Sequence, residues 1–186
     1  MLYEYYFNSK AGEMRLPMQR SNRQRDAQYI MAKQHFKLIA PVSGKTIHLD
    51  QVPDPIFSER LTGDGLAVLT DSAEVLAPCD GEITLFFETK HAFAITTEDG
   101  IQVLVHIGLD TILLNGEGIT ALHKRGDHVK AGTPILRLNL DVFRQHNINL
   151  ISPVLVVNQD KVTGIFHPDS DSYIEAGKDT ILEFAI

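Results

Sequence analysis

Residues 81–108 read GEITLFFETKHAFAITTEDGIQVLVHIG and contain three short apolar runs separated by polar breaks. Each run is long enough for one β-strand and too short for a typical helix. The pair Asp99-Gly100 is favoured in tight hairpin turns, so the second and third runs are predicted to form a hairpin around Glu98–Gly100. This stretch therefore predicts consecutive antiparallel strands.

The same pattern extends from Phe36 to the end of the chain, where short apolar segments alternate with Gly, Pro, Asp and Asn. Turn signals recurring about every 8–12 residues are typical of an all-β sandwich or barrel. Asp80-Gly81 is a second hairpin-type pair, and only residues 55–60 and 140–147 resemble single helical turns. We predict an all-β fold, an antiparallel β-sandwich or barrel with one or two short helical turns.

Two pairs of similar segments indicate an internal duplication. APVSGKTIHL (40–49) and APCDGEITLF (77–86) share an Ala-Pro-x-x-Gly start followed by a strand-like run. GDHVKAGTPILRL (126–138) and SYIEAGKDTILEF (172–184) share an apolar residue, a glycine three positions later and a further apolar pair. We therefore predict duplicated hairpin motifs that close into one sandwich.

The composition is that of a globular domain: 186 residues, 44% hydrophobic and 22% charged. No apolar run approaches the roughly 18 residues of a membrane helix, and the first residues do not resemble a signal peptide. The single cysteine, Cys79, excludes an internal disulfide and a thiolate metal cluster, and we expect it to be a buried small apolar residue. We expect a cytoplasmic protein.

The net charge of −7 is unevenly distributed. Residues 1–34, the N-terminal arm, hold six basic and three acidic residues, whereas residues 35–186 hold eleven and twenty-one. Such an acidic body argues against a nucleic-acid partner, because binding phosphates needs a basic face. We predict an arm that is flexible or partly helical, with a helix candidate at residues 22–33. It would serve as a tether or touch anionic membrane, and the folded domain would span residues 35–186.

Two of the eight histidines, His91 and His106, lie within strand-like runs. Alternation puts Leu104 and His106 on one face of the run and Val103, Val105 and Ile107 on the other. The hairpin would bring the two imidazoles close together. Adjacent imidazoles in an apolar surround suggest a metal site or acid–base and nucleophilic chemistry. The alternative is two packed histidines without a role.

Seven strings occur together in order and carry a family resemblance: LIAPVSGKTIHLDQVPDPIF (38–57), LTGDGLAVL (61–69), LAPCDGEI (76–83), FFETKHAFAITTEDG (86–100), VLVHIGLDTILLNGEG (103–118), GDHVKAGTPIL (126–136) and SPVLVVN (152–158). Over residues 35–186 the chain resembles the glucose-type IIA component, the EIIA type 1 domain, of the bacterial phosphoenolpyruvate:sugar phosphotransferase system. The resemblance implies an antiparallel β-sandwich with a shallow apolar depression.

The resemblance also implies a role for each site residue. His106 would accept a phosphoryl group from the phosphocarrier protein HPr and pass it to a cysteine of a IIB domain. His91 would stabilise the phosphoryl group, Thr89 would orient His91, and Asp110 would order the loop or steer the incoming carrier. Backbone N–H groups around Gly108 could add hydrogen bonds to the phosphoryl oxygens.

A set of apolar residues matches the positions that line the docking depression in the family: Ile56, Phe57, Phe87, Leu104 and Ile112. Packing in the core is the alternative for each of them. Such a chain would act at the inner face of the membrane and would require no cofactor. The resemblance also allows an accessory zinc ion held by His91 and His106.

Two other functions compete with the relay. A metal-dependent hydrolase could use His106-x-x-x-Asp110 with His91 as a third ligand, but the chain lacks the His-x-His pair expected of such enzymes. A regulatory module could bind permeases or metabolic enzymes through the same apolar face when unphosphorylated. Phosphorylation would then place negative charge inside that face and expel the partner.

Overall fold

The structure is a computed structural model and describes residues 35–186. The arm, with its predicted helix, lies outside the described residues. The strands are β1 (His35–Ile39), β2 (Gly44–His48), β3 (Asp64–Thr70), β4 (Glu74–Leu76), β5 (Gly81–Phe86), β6 (Ala92–Thr96), β7 (Gln102–His106), β8 (Ile119–Ala121), β9 (His128–Val129), β10 (Pro134–Leu138), β11 (Ile151–Val156), β12 (Thr163–Phe166), β13 (Tyr173–Ile174) and β14 (Thr180–Ala185).

Helical structure in residues 35–186 is limited to short segments. The α-helices are α1 (Pro55–Ser58) and α2 (Leu140–Gln145), which confirms the two predicted helical turns. The 3-10 turns Leu49–Gln51, Thr111–Leu114 and Gln159–Lys161 were not predicted. No helix in the described part of the chain has the length and apolar character needed to cross a membrane.

The strands pair in the antiparallel sense, as predicted, and they form three sheets. The largest has eight strands in the order β13-β2-β3-β11-β7-β6-β5-β9. Two three-stranded sheets, β1-β14-β12 and β4-β10-β8, supply the other side of the main hydrophobic core. Fully buried side chains from all three sheets meet there, including Leu38, Phe93, Leu136 and Phe184. The architecture is an antiparallel β-sandwich.

Strand β7 shows how alternation positions the site. Val103 and Val105 are completely buried in the main core, whereas Leu104 and His106 lie on the opposite face of the large sheet, as predicted. On that second face a smaller cluster packs beneath α1: Leu49, Val52, Phe57, Ala67, Leu109, Ile151 and Leu155. The large sheet therefore has one face in the main core and a second face that is covered only in part.

The predicted duplication is confirmed by strand pairing at the two edges of the large sheet. At one edge β13 pairs with β2, with Ile174 opposite Gly44. At the other edge β9 pairs with β5, with Val129 opposite Gly81. In each half, the segment that begins with Ala-Pro therefore pairs with its partner segment in the same register.

Hydrogen bonds outside the strands repeat in the same way. The N–H of Gly177 donates to the Ala40 carbonyl at 2.9 Å, and the N–H of Gly132 donates to the Ala77 carbonyl at 2.9 Å. These are corresponding positions of the two pairs of segments, so the similarity extends to individual backbone contacts.

One of the two hairpin predictions is correct. The turn at Asp99-Gly100 joins β6 to β7, with Gly100 at φ +77°. The prediction at Asp80-Gly81 is wrong, because β4 and β5 lie in different sheets. Asp80 instead accepts a hydrogen bond from the N–H of Ala131 at 2.8 Å. Its side chain thus anchors a distant loop rather than a local turn.

Cys79 is buried, as expected. Only 8% of its surface is exposed. Burial, with a smaller contribution from the Asp80 charge, raises the pKa of the Cys79 thiol to about 12. The thiol therefore behaves as an apolar core group rather than a nucleophile.

Candidate functional site

The structure brings His91 and His106 together, as the sequence predicts. His106 is the last residue of β7, and Ala92, the first residue of β6, lies directly opposite it. The N–H of Ile107 donates to the His91 carbonyl at 2.8 Å, which extends the pairing by one step. The imidazole centroids are 5.1 Å apart and the rings are inclined at 70°. The pair is an edge-to-face contact.

A tight turn after β5 sets the orientation of His91. The N–H of Lys90 donates to the Phe87 carbonyl at 2.8 Å, and Lys90 adopts a left-handed conformation with φ +60°. The hydroxyl oxygen of Thr89 lies 2.5 Å from Nδ1 of His91, the contact expected of an orienting residue. The Phe87 ring packs 4.8 Å from the His91 ring. The Thr89 hydroxyl and the Phe87 ring therefore fix the rotation of the His91 ring.

His106 has one nitrogen in the interior. Its Nδ1 is buried and has no hydrogen-bond partner of standard geometry within residues 35–186. Nε2 is the nitrogen left toward the surface. The Phe57 ring packs edge-to-face against the imidazole, with centroids 5.1 Å apart. The ring is therefore held by aromatic contacts on two sides, from Phe57 and from His91.

The electrostatic environment keeps His106 neutral. Burial, followed by the neighbouring His91, lowers the pKa of His106 from 6.5 to about 4. The backbone of Gly108 and the charge of Asp54 oppose this shift. Burial also lowers the pKa of His91. At neutral pH both imidazoles are uncharged, so each keeps one nitrogen lone pair.

Gly108 occupies a position that only glycine fits. Its φ is +64°, and an added Cβ would lie 2.5 Å from Thr111 Oγ1 and 2.9 Å from the Asn149 carbonyl oxygen. Its N–H donates to Ser152 Oγ at 3.1 Å rather than pointing at open space. The predicted hydrogen bonds to a phosphoryl group from this loop therefore cannot come from the Gly108 N–H while this contact is kept.

Two carboxylates belong to the loops around the histidine pair: Asp110 follows His106 by four residues, and Asp54 acts on His106 through its charge. Asp110 is exposed at φ +58° and precedes the 3-10 turn Thr111–Leu114. Asp54 was missed by the sequence analysis: its side chain accepts the Ile56 N–H at 2.9 Å and caps α1, and its charge raises the pKa of His106. Asp-Pro before a helical turn is a recognisable cap signal, but nothing in the sequence placed it near His106.

The predicted docking residues divide into three groups. Ile56, Phe87 and Ile112 are exposed by 40–55% and can contact a partner. Leu104 is half-buried on the face of the large sheet that carries His106. Phe57 is only 4% exposed, because it fills the small cluster beneath α1. The prediction of Phe57 as a docking residue is corrected: it packs against His106 and belongs to the floor of the site.

An apolar groove continues past Leu104 and was not predicted. Leu61, Leu85 and Val157 line it and are exposed by 38–69%. These residues come from three distant segments, so only the folded sheet brings them together. The apolar surface beside His106 is thus larger than the sequence indicated.

The histidine pair does not extend to a metal-binding cluster. Within residues 35–186 no three His, Cys, Asp or Glu side chains are grouped closely enough to hold a metal ion. His91, His106 and Asp110 therefore do not form the three-ligand set that the hydrolase alternative requires.

The antiparallel sandwich and the packed histidines define a small all-β protein with a histidine-based site. A family model, described as phosphoenolpyruvate-dependent sugar phosphotransferase system, EIIA 1, matches residues 36–162. The chain belongs to this family.

Individual relatives agree with that assignment. The chain is 46% identical over 128 residues to the PTS system glucose-specific EIIA component of Borreliella burgdorferi, covering 69% of this chain and 68% of that protein. It is 37% identical over 129 residues to a glucoside-specific EIICBA component of Staphylococcus carnosus, which covers 69% of this chain but 19% of that protein. The solved structure of glucose permease IIA from Mycoplasma capricolum superimposes with a TM-score of 0.74 at 31% identity, covering 82% of this chain and 97% of that one.

Proposed function

We propose that this chain is a glucose-type phosphocarrier that accepts a phosphoryl group from phospho-HPr on His106 and passes it to a cysteine of a sugar-specific IIB domain. The observation that carries the proposal is the packed pair of neutral imidazoles, 5.1 Å apart, on a partly covered apolar face of the sheet. Family membership supports the same reaction class.

His106 is suited to act as the nucleophile. Nδ1 is buried, so the proposal places the ring proton on Nδ1 and the lone pair on Nε2, which is left toward the surface. In the first step Nε2 attacks phosphorus, and the P–N bond to the phosphocarrier histidine breaks as the new P–N bond forms. In the second step the IIB thiolate attacks phosphorus, and Nε2 leaves with the bonding pair. The low pKa of His106 keeps the lone pair available at neutral pH.

His91 is suited to stabilise the transferred group. The hydroxyl of Thr89 contacts Nδ1 of His91, and the proposal has this hydroxyl donate, so that neutral His91 carries its proton on Nε2. That N–H can donate to a phosphoryl oxygen on the neighbouring imidazole. Transfer of a phosphoryl group depends mainly on positioning and charge stabilisation, so one fixed donor is an effective contribution.

The lysine next to His91 in the sequence, Lys90, is held away from the role of a cationic clamp. The ammonium group of Lys90 donates to the Ile119 carbonyl at 3.3 Å, which ties it to a neighbouring loop. A phosphoryl group on His106 would therefore be stabilised by hydrogen bonds without being clamped by this charge. This favours a transient intermediate that can be passed on.

The partners follow from the relatives' names and from the apolar face. The names refer to glucose and glucoside systems, and one relative carries EIIA together with EIIC and EIIB. A IIB domain of that type, at the inner face of the membrane, is the proposed acceptor. The domain would span residues 35–186. The exposed Ile56, Phe87 and Ile112 also favour regulatory binding of permeases or metabolic enzymes before phosphorylation.

No cofactor is required for the proposed transfer. His91 and His106 offer two imidazoles, half of the four ligands that a zinc ion usually takes. An accessory zinc ion would therefore need further ligands from a partner such as a carboxylate.

The test is phosphoryl transfer from phosphoenolpyruvate through enzyme I and HPr, read by intact mass. Wild type and His128→Ala, which removes an exposed histidine outside the site, should each gain one phosphate. His106→Ala should gain none, and His91→Gln should gain a phosphate but fail to pass it to a IIB domain. Phosphorylation of His106→Ala at the wild-type level would overturn the assignment.

A further inference from the structure

A buried hydroxyl network lies behind the candidate nucleophile. Ser152 is fully buried on β11, and Thr70, at the end of β3, is 4% exposed. The Thr70 hydroxyl donates to Ser152 Oγ at 3.0 Å, and Ser152 Oγ donates to the Leu150 carbonyl at 3.0 Å. With the N–H of Gly108 as a second donor to it, Ser152 Oγ makes the three hydrogen bonds that a hydroxyl can make.

Pro153 explains why a side chain, and not the backbone of β11, anchors Gly108. Strand β11 pairs with β7 only over Val154, Leu155 and Val156. Pro153 has no N–H to continue the ladder, so the chain leaving β7 needs another anchor. The Ser152 hydroxyl supplies it by accepting from Gly108.

Gly108 is the part of this loop that acts on His106. Three successive N–H groups fix the loop: Ile107 to the His91 carbonyl, Gly108 to Ser152 Oγ, and Leu109 to the Asn149 carbonyl. Only the middle anchor is a side chain. The Gly108 backbone raises the pKa of His106, the effect of a carbonyl near a ring N–H, although Nδ1 makes no hydrogen bond of standard geometry within residues 35–186. That carbonyl belongs to the peptide unit whose N–H, on Leu109, bonds Asn149, whereas Ser152 fixes the preceding unit through the Gly108 N–H. The two anchors together hold Gly108 beside His106 and so influence which ring nitrogen holds the proton.

We propose that Ser152 is a positioning residue for His106: its hydroxyl fixes the Gly108 N–H and so helps to hold Gly108 where its carbonyl favours the proton on Nδ1 of His106 and leaves the lone pair on Nε2. The inference rests on the proposed function for its effect on transfer, but its effect on the imidazole tautomer does not depend on that function. Ser152 was not singled out by the sequence analysis, because its partners lie 44 and 82 positions away.

The experiment uses the full chain with Ser152→Ala, which removes the hydroxyl, and Ser152→Thr, which keeps it. Thr46→Val is the matched control: Thr46 is fully buried on β2, but its hydroxyl contacts the Asp169 and Ser172 carbonyls, away from Gly108. If Ser152→Ala does not fold, Ser152→Cys carries the test, because it nearly preserves volume and accepts hydrogen bonds weakly.

Two quantities are measured. The ¹⁵N chemical shifts of the His106 imidazole report the tautomer at neutral pH, and intact mass reports the rate of phosphorylation by phospho-HPr. Ser152→Ala should shift the tautomer signals and slow phosphorylation by roughly tenfold, the scale expected for a displaced reacting group. Ser152→Thr should restore both, and Thr46→Val should change neither.

Equal tautomer signals and rates in Ser152→Ala and Thr46→Val would overturn the positioning role, leaving the relay untouched. Conversely, a wild type that is never phosphorylated but whose tautomer shifts in Ser152→Ala would overturn the relay and support the positioning contact.

Discussion

At the scale of single residues, His106 makes the stability of the fold depend on pH. Its pKa is lowered from 6.5 to about 4, so between these pH values the unfolded chain binds a proton that the folded chain does not. The free energy of unfolding should therefore fall as the pH drops from 6.5 toward 4, and it should be unaffected by this group above 6.5. Because one pKa unit corresponds to about 1.4 kcal/mol, the full contribution is about 3 kcal/mol at most.

The measurement is urea unfolding of wild type and His106→Gln at about pH 7.5 and about pH 5. His91 shifts in the same direction and is present in both proteins, so the difference between the two pH dependences reports His106. Between these two pH values the free energy of unfolding should fall by about 2 kcal/mol more in wild type than in His106→Gln. Parallel losses in the two proteins would show that His106 is not buried as a neutral group.

Thr89 provides a second prediction for a single side chain. Thr89→Val keeps the shape of the side chain but removes the hydroxyl 2.5 Å from His91 Nδ1. His91 can then adopt either tautomer, so transfer to a IIB domain should slow by roughly tenfold while the chain still becomes phosphorylated. Rapid-quench transfer assays measure this.

The Thr89 prediction has two controls. Thr89→Ser should retain the wild-type rate, because it keeps the hydroxyl. Thr84→Val removes a hydroxyl that pairs with Thr96 Oγ1 at 2.7 Å on the neighbouring strands, and it should also leave the rate unchanged. A Thr89→Val protein as fast as wild type would remove Thr89 from the site.

At the scale of secondary structure elements, α1 and the 3-10 turn Thr111–Leu114 present the most exposed residues of the docking face. Ile56 is 49% exposed and Ile112 55% exposed. Replacing either by Glu puts a charge where a partner must exclude water, so the apparent affinity for phospho-HPr should fall about tenfold, or about 1.4 kcal/mol. Steady-state phosphorylation against HPr concentration measures the change.

The folded state should tolerate both substitutions, because exposed positions usually change stability by no more than about 0.5 kcal/mol. Phe166→Glu is the matched control, since Phe166 is 61% exposed but lies on β12 of another sheet. Equal effects of Phe166→Glu and Ile112→Glu on HPr affinity would mean that these elements do not form the docking face.

The elements also show which structural features could be predicted from the sequence. Alternation in β7 and the Asp99-Gly100 turn are local signals, and both were correct because strand period and turn type depend on neighbouring residues. The Asp80-Gly81 prediction failed because the carboxylate bonds Ala131, a partner 51 positions away. The 3-10 turn Thr111–Leu114 follows a left-handed Asp110, a conformation that the residue type alone does not specify.

Part of the site could also be predicted from the sequence. The hairpin and a family resemblance gave the His91–His106 pair and the Thr89 contact. Phe57 was misassigned because an apolar residue beside an exposed one can face either the partner or the core, and only packing decides between them. Asp54 and Ser152 were missed because their contacts with the site are made across the fold.

At the scale of the whole molecule, the duplicated halves should respond alike to the same change. Gly44 and Gly81 begin β2 and β5 at φ +149° and +155°, and each faces a neighbouring strand. An added Cβ would lie 2.1 Å from the Leu69 carbonyl oxygen in one half and 2.4 Å from the Thr96 carbonyl oxygen in the other. Backbone in a central sheet cannot move away cheaply, so alanine at either position should strongly destabilise the fold.

We therefore expect Gly44→Ala and Gly81→Ala each to lower the free energy of unfolding by about 3 kcal/mol or more, with midpoints in urea that shift by similar amounts. Gly126→Ala separates the cost of a left-handed backbone from the cost of a steric clash. Gly126 has φ +91°, but no atom lies within 4 Å of an added Cβ. This substitution should lower the free energy of unfolding by only about 1–2 kcal/mol, the cost of placing a side chain on a left-handed backbone. If Gly81→Ala cost no more than Gly126→Ala while Gly44→Ala unfolded the protein, the two halves would be alike in backbone geometry but not in how they support the fold.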